Sequence, residues 1–163
     1  MKRLITLAMA LCLVLLSYNE TSAQESGDFK FGFRAGYYFR TNAFGVGVYG
    51  TYGLTNWLNI EPGVNMILKK HCSVDVYCDF QVPLEIATYW TVYPIVGVSV
   101  NDITSTSKGK IIDGWAGGLN LGLGTRYELN SRWSVNLQVK WLGRLPRQHQ
   151  SAVVATVGID YNF

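Results

Sequence analysis

The chain has 163 residues, of which 48% are hydrophobic, 13% aromatic and 15% charged, with 17 glycines and a net charge of +3. That length suits one domain, and the charged fraction is well below the roughly 25% of an average soluble domain. Disorder, a coiled coil and a charged nucleic-acid binder are disfavoured, and so small a net charge gives no argument for a polyanionic partner.

The first element is a targeting segment. Lys2 and Arg3 precede an apolar run over residues 4–16, interrupted only by Thr6, and Thr21-Ser22-Ala23 supplies small residues. This is the pattern of a secretory signal peptide, with cleavage expected after Ala23. A membrane anchor is the alternative, but a spanning helix needs about 20 apolar residues. Cys12 lies inside the run, after Met9-Ala10-Leu11, a poor lipidation sequence. The expected mature domain is therefore residues 24–163.

From there the dominant pattern has period two, the signature of strands. Phe29, Phe31, Phe33, Ala35, Tyr37 and Phe39 alternate with Lys30, Gly32, Arg34, Gly36, Tyr38 and Arg40. The second run starts at Phe44 and the third at Leu58. The fourth sets Phe80, Val82, Leu84 and Ile86 against Gln81, Pro83, Glu85 and Ala87. Four more runs follow, starting near Val92, Trp115, Trp133 and Val153. One face of each run is apolar. The other carries glycines, amides and charges, as the inside of a narrow barrel requires. In lipid a sheet cannot leave an edge open, so the strands must close. The reading is an all-β, eight-stranded, antiparallel, up-and-down transmembrane barrel, with a soluble barrel or sandwich as the competing class.

The connections alternate in length. Those at 54–57, 88–91 and 129–132 are tight, whereas 69–78, 101–112 and 142–150 are longer. Short turns on the periplasmic side and long loops outside are the outer-membrane arrangement, which places both chain ends in the periplasm. Two aromatic girdles result. Phe29, Tyr52, Trp57, Tyr89, Trp90, Tyr127, Trp133 and Phe163 mark the inner rim, and Tyr37, Phe39, Phe44, Trp115 and Trp141 the outer.

The alternating final run, Val157-Gly-Ile159-Asp-Tyr161-Asn-Phe163, resembles the terminal strand that the outer-membrane assembly machinery reads. With the signal peptide and the eight runs, residues 24–163 resemble the small OmpA/OmpX-type outer-membrane barrels. They are closer still to the porin-like β-barrel family of Bacteroidota, in which a turn like Tyr-Gly-Leu-Thr-Asn-Trp, here residues 52–57, is frequent. No peptidoglycan-binding domain is expected after Phe163. The resemblance implies an integral outer-membrane protein among outer-membrane lipids and lipopolysaccharide. It does not imply one activity, since a fold hosts many.

Three groups of residues are candidates for function. The first is a lumen charge network of Arg34, Glu61, Glu85, Arg126, Glu128 and Lys140, with Lys30, Arg40 and Asp160 on the same face. Charges in a narrow lumen need partners, and two close carboxylates need cations between them. Glu61 and Glu85 are expected on adjacent strands near mid-barrel, with Arg34 and Lys140 as central partners. Such a network could seal the lumen or gate a narrow path. Carboxylate acid/base catalysis lacks a substrate opening. The second group is an outer-rim basic cluster of Arg40, Lys69, Lys70, Lys108, Lys110, Arg144 and Arg147. It is set against Asp75, Asp79, Asp102 and Asp113, at the level of lipopolysaccharide phosphates. The third is a disulfide between Cys72 and Cys78 in the second outer loop, in an oxidising compartment. His71, Cys72 and Cys78 make only three potential metal ligands, so no metal or other cofactor is expected.

An enzyme reading is weak. Lipid A deacylases of the PagL type use a His-x-Ser pair and a Glu. Here His149-Gln150-Ser151 precedes the last strand and no Glu follows it. The expected role is structural or surface-interactive, through the loops of a barrel with a sealed polar lumen. A narrow passive pore is the alternative, favoured by the glycine-lined second and sixth runs.

Overall fold

The structure is a computed structural model that describes residues 27–68, 73–102, 105–107, 110–112, 115–145 and 151–163. The expected signal peptide lies outside them. The strands are β1 (Phe29–Tyr38), β2 (Ala43–Thr55), β3 (Leu58–Leu68), β4 (Ser73–Gln81), β5 (Leu84–Ala87) and β6 (Trp90–Asp102). They continue with β7 (Ser105–Ser107), β8 (Lys110–Ile112), β9 (Trp115–Glu128), β10 (Trp133–Leu145) and β11 (Ala152–Asn162). Among the described residues there is no helix.

The barrel has eight staves, because β4 and β5 both pair with β6 and together form the fourth. The order runs β4-β3-β2-β1-β11-β10-β9-β6, and the β4–β6 pairing closes the ring. Every pair is antiparallel. β7 and β8 form a separate small hairpin between β6 and β9.

Closure carries a stagger. Cα partners lead from Phe29 through Tyr52, Ile60, Phe80, Val96, Leu121 and Trp141 to Val153. Val153 then accepts a hydrogen bond from the backbone N–H of Phe39, not Phe29. One circuit thus climbs from position 29 to position 39 of β1, the shear that obliges the strands to tilt. At a tilt of about 40°, eleven residues rise roughly 28 Å, enough for an apolar band of about 25 Å.

The two faces of each strand divide as the alternation requires. Outward residues such as Phe33, Val96, Leu123 and Val157 are exposed and form the lipid surface. Inward residues are buried, and most are polar. The inner rim is a chain of ring contacts. Phe163 packs on Phe29 at 5.6 Å and on Tyr161 at 5.1 Å, and Tyr161 packs on Trp133 at 5.1 Å. At the outer rim Tyr37 meets Phe39 and Phe44 at 5.3 and 5.1 Å. The β1–β2 turn is tight because Asn42 takes a left-handed conformation (φ 45°), which Asn tolerates better than most residues. Its Oδ1 accepts from the Tyr37 hydroxyl at 3.2 Å.

The fourth stave differs from the sequence reading. β4 begins at Ser73, so most of the expected loop at 69–78 is strand. Its inward residues are Ser73, Asp75, Tyr77, Asp79 and Gln81, and Val76 and Phe80 are exposed on the outer face. The stave breaks at Val82-Pro83 and resumes at Leu84. Proline lacks the ladder N–H, and Val82 keeps only a long bond to Pro94 O at 3.4 Å.

Of the expected disulfide pair, Cys78 sits within β4 opposite Pro62 and Val98 and carries a free thiol, and Cys72 lies outside the described residues.

Candidate functional site

The lumen is built from the inward faces of all eight staves, and its charges meet in pairs. Near the centre, Arg34 Nη2 lies 2.6 Å from Glu61 Oε1, with side chains 1% and 0% exposed. Arg34 also donates to Gln138 Oε1 at 3.0 Å. The second Glu61 oxygen accepts from Gln81 at 2.6 Å, Gln138 at 3.3 Å and Thr51 at 3.4 Å. A buried carboxylate is tolerable on such terms: one cation and a set of neutral donors.

Toward the outer end, Lys140 Nζ lies 2.8 Å from Asp79 Oδ2, and Asn120 donates to Asp79 Oδ1 at 2.7 Å. Ser99 in turn donates to Asn120 at 2.8 Å. Asp75 accepts from Asn65 at 3.3 Å and from Asn101. Toward the inner end, Arg126 Nε lies 3.2 Å from Asp160, which also accepts from Asn136 at 2.8 Å and from the Tyr49 hydroxyl. Lys30 and Glu128 face each other at 3.8 Å at the inner mouth.

Aromatic rings occupy the space between the pairs. The Arg34 guanidinium lies 3.6 Å from the Tyr49 ring centroid, and the Arg126 guanidinium 5.3 Å from that of Tyr93. The Tyr77 ring has Arg34 at 5.4 Å and Lys140 at 4.2 Å, so it bridges two ion pairs. Each of these tyrosines faces a glycine on the next stave: Tyr49 opposes Gly32, Tyr77 opposes Gly63, and Tyr93 opposes Gly124. A Cβ at any of the three glycines would strike the ring. In β2 a Cβ at Gly45 would strike the Tyr38 ring and one at Gly47 the Asn65 side chain, and in β9 Gly122 and Gly124 face Lys140 and Tyr93 in the same way, so these glycines of the second and sixth runs make room for side chains, not for solute. The outer end is packed by Tyr38, Ala43, Ile67, Leu142 and Val154, each 2–3% exposed.

Of the expected network, Arg34, Glu61, Arg126 and Lys140 lie in the lumen and Glu128 at its inner mouth. Glu85 does not join Glu61. It sits in β5 opposite Thr91, exposed at the inner mouth. The carboxylate beside Glu61 is Asp79, its direct cross-strand partner. Asp75 and Asp79 were expected at the outer rim but are buried, at 2% and 0% exposure. The alternation of Val74, Val76, Cys78 and Phe80 with Asp75, Tyr77, Asp79 and Gln81 was the signal that could have placed them.

Of the basic rim, Arg40 is exposed and donates to Ser151 O at 3.0 Å, tying the first outer turn to β11. Lys69, Lys70, Lys108 and Arg147 lie outside the described residues, as do Cys72 and His149. Lys110 and Arg144 are placed by backbone only, in β8 and β10. No group of His, Cys, Asp and Glu among the described residues is arranged to hold a metal.

A family model described as "Outer membrane protein beta-barrel domain" matches residues 8–163. The chain belongs to the outer membrane protein beta-barrel domain family. It is an integral barrel of the bacterial outer membrane, embedded among the lipids and lipopolysaccharide of that membrane. Members of this fold are also seen among solved structures. The N-terminal β-barrel domain of Pseudomonas aeruginosa OprF matches with a TM-score of 0.74 at 16% identity, over 86% of this chain and 100% of that one. Ail, the attachment invasion locus protein of Yersinia pestis, matches with a TM-score of 0.55 at 11% identity, over 86% and 100%. The outer membrane protein OprG of Pseudomonas aeruginosa matches with a TM-score of 0.55 at 13% identity, over 86% and 97%. At these identities the likeness concerns the fold. A comparison with curated proteins gives no match.

Proposed function

We propose that this outer-membrane barrel conducts no solute and acts through its outer surface, as a structural element of the membrane and a platform for surface contacts. The observation that carries this reading is the filled lumen. Three buried ion pairs, Arg126–Asp160, Arg34–Glu61 and Lys140–Asp79, are interleaved with Tyr49, Tyr77 and Tyr93 and capped by the apolar cluster around Tyr38. Opening a path would separate buried charges from their partners, which costs several kcal/mol per ion. Export with removal of residues 1–23, and recognition of the strand ending at Phe163 by the assembly machinery, belong to the same reading.

The purified chain in a planar lipid bilayer should give a flat current trace at every holding potential. Steady unitary steps that change in Glu61→Gln would instead assign a narrow pore, and the sealed-lumen reading would fall.

The same reading uses the basic rim. Arg40 stands just past the end of β1, Lys110 in β8 and Arg144 near the end of β10; with Lys69, Lys70, Lys108 and Arg147 they are the cations this reading sets against lipopolysaccharide phosphate. Neutralising Lys69, Lys70, Arg144 and Arg147 together should weaken lipopolysaccharide binding at low salt by about tenfold or more, and less at high salt. Equal binding by parent and variant across the salt series would remove the rim from the proposal.

A further inference from the structure

We propose that the lipid-facing wall around Ala35 seats one acyl chain of a lipopolysaccharide molecule whose phosphate rests on Arg40. The site rests on the reading of the outer rim as a lipopolysaccharide contact, and it adds a place for the lipid's tail. An open groove of about 490 Å³ lies on the outer face, across β2, β1, β11 and β10. At its floor is Ala35, the smallest outward residue of β1, with Phe33, Val46, Val135, Val157 and Ile159 around it. The register explains the hollow. Ala35 pairs with Val46 on one side and Val157 on the other, and the row toward the inner end is Val48, Phe33, Ile159 and Val135. One methyl thus stands among branched and aromatic side chains.

The hollow continues toward the outer end. Two residues further along the β1–β11 seam, Tyr37 pairs with Ala155, the smallest outward residue of β11. Tyr37 packs on Phe44 across the β1–β2 seam at 5.1 Å, which leaves the β11 side of this row to a methyl. The seam then reaches Arg40, whose Nη1 donates to Ser151 O at 3.0 Å, a bond that holds the guanidinium over the head of the same seam. A guanidinium has more donors than one bond uses, in a fork that matches phosphate. From Phe33 to the end of β1 at Tyr38 the strand descends about 13 Å at a tilt of about 40°, close to the roughly 15 Å of one leaflet. A chain anchored at the outer rim therefore reaches the groove.

Shape decides the occupant. A second barrel is convex and would meet this wall at its ridges, above all at Phe33, which is 59% exposed. A chain of methylenes enters the hollow and restores the contacts that a gap forfeits. Lipid already surrounds the wall, so burial from water contributes nothing, and the preference comes from fit and from the phosphate pair. The cation stands at the outer end of the seam, which selects a phosphate-bearing lipid of the outer leaflet.

The test uses the full chain in phosphatidylcholine nanodiscs, with alanine and valine methyls labelled. The probe is purified diphosphoryl lipid A, the membrane anchor of lipopolysaccharide. It should shift the Ala35, Ala155 and Val157 methyls saturably and leave Val96, on the opposite wall, in place. Ala35→Phe fills the hollow at a lipid-facing position, and Arg40→Gln removes the phosphate contact. Each should weaken lipid A by about tenfold, read at Ala155 and Val157. Dioleoyl phosphatidate, whose chains are kinked, should bind at least about tenfold more weakly than lipid A with its straight chains. Equal shifts with phosphatidate would mean a general contact with anionic lipid and overturn the proposal. Absence of a saturable shift at these methyls, or lipid A binding unchanged in Ala35→Phe, would overturn it as well. A loss of salt-sensitive binding on neutralising Lys69, Lys70, Arg144 and Arg147 would in that case leave the rim reading standing without the groove. Methyl shifts that persist while that fourfold variant binds lipid A as the parent does would support the groove and remove the rim.

Discussion

Arg34→Ala should destabilise the barrel by about 3–5 kcal/mol, the range for removing one partner of a buried ion pair. Arg34 has three roles that alanine cannot take over. It neutralises Glu61 at 2.6 Å, it donates to Gln138 at 3.0 Å, and its guanidinium lies on the Tyr49 ring. Without it Glu61 keeps only neutral donors, Thr51, Gln81 and Gln138, in a position with no solvent exposure. The measurement is reversible urea unfolding in lipid vesicles, followed by tryptophan fluorescence. The double variant Arg34→Met with Glu61→Gln should lose much less than the single variant, because no buried charge is then stranded. An Arg34→Ala barrel within about 0.5 kcal/mol of the parent would mean that the lumen charges are solvated, contrary to the burial described.

The second large effect belongs to the opposite face of the same wall. Val96 lies midway along β6, 56% exposed on the lipid side and flanked by Phe80 and Leu121. Val96→Arg should cost about 2–4 kcal/mol, whereas Val100→Arg, nearer the outer interface, should cost about 0–1 kcal/mol. The same unfolding assay in vesicles reads both. Equal costs at the two depths would show that β6 is not crossing an apolar band. Together the two substitutions separate the faces of one sheet: removing a charge destabilises inside, and adding one destabilises outside.

Much of this architecture was legible because alternation is a local property. Each residue of β1, β2 or β11 declares its face through its nearest neighbours, and the aromatic girdles follow from strand length. The fourth stave was misread where local cues conflicted. Asp75, Cys78 and Asp79 resemble loop residues next to Lys69 and Lys70, and Pro83 looks compatible with a continuous run although it breaks one. The lumen pairs were legible only in part. That Arg34 and Lys140 should meet carboxylates follows from the need to neutralise buried charge. That one meets Glu61 and the other Asp79 depends on the ten-residue climb around the ring, which no single strand encodes. The role of the glycines escaped for the same reason, since Gly32 and Tyr49 become neighbours only through register.

The pairing of β1 with β11 has a bearing on how the molecule comes into being. Several of the contacts that fill the lumen join residues more than a hundred positions apart: Arg34 with Gln138, and Tyr49 with Asp160. The Arg40 bond to Ser151 at the outer rim does the same. None of these can form while the sheet is still open along that seam. The last step of assembly therefore ties the final ladder, removes the remaining free edge from lipid and completes the filling of the lumen in one event. An intermediate still open along that seam would leave two edges in lipid and lack these cross-seam contacts, so maturation should show few stable halfway states.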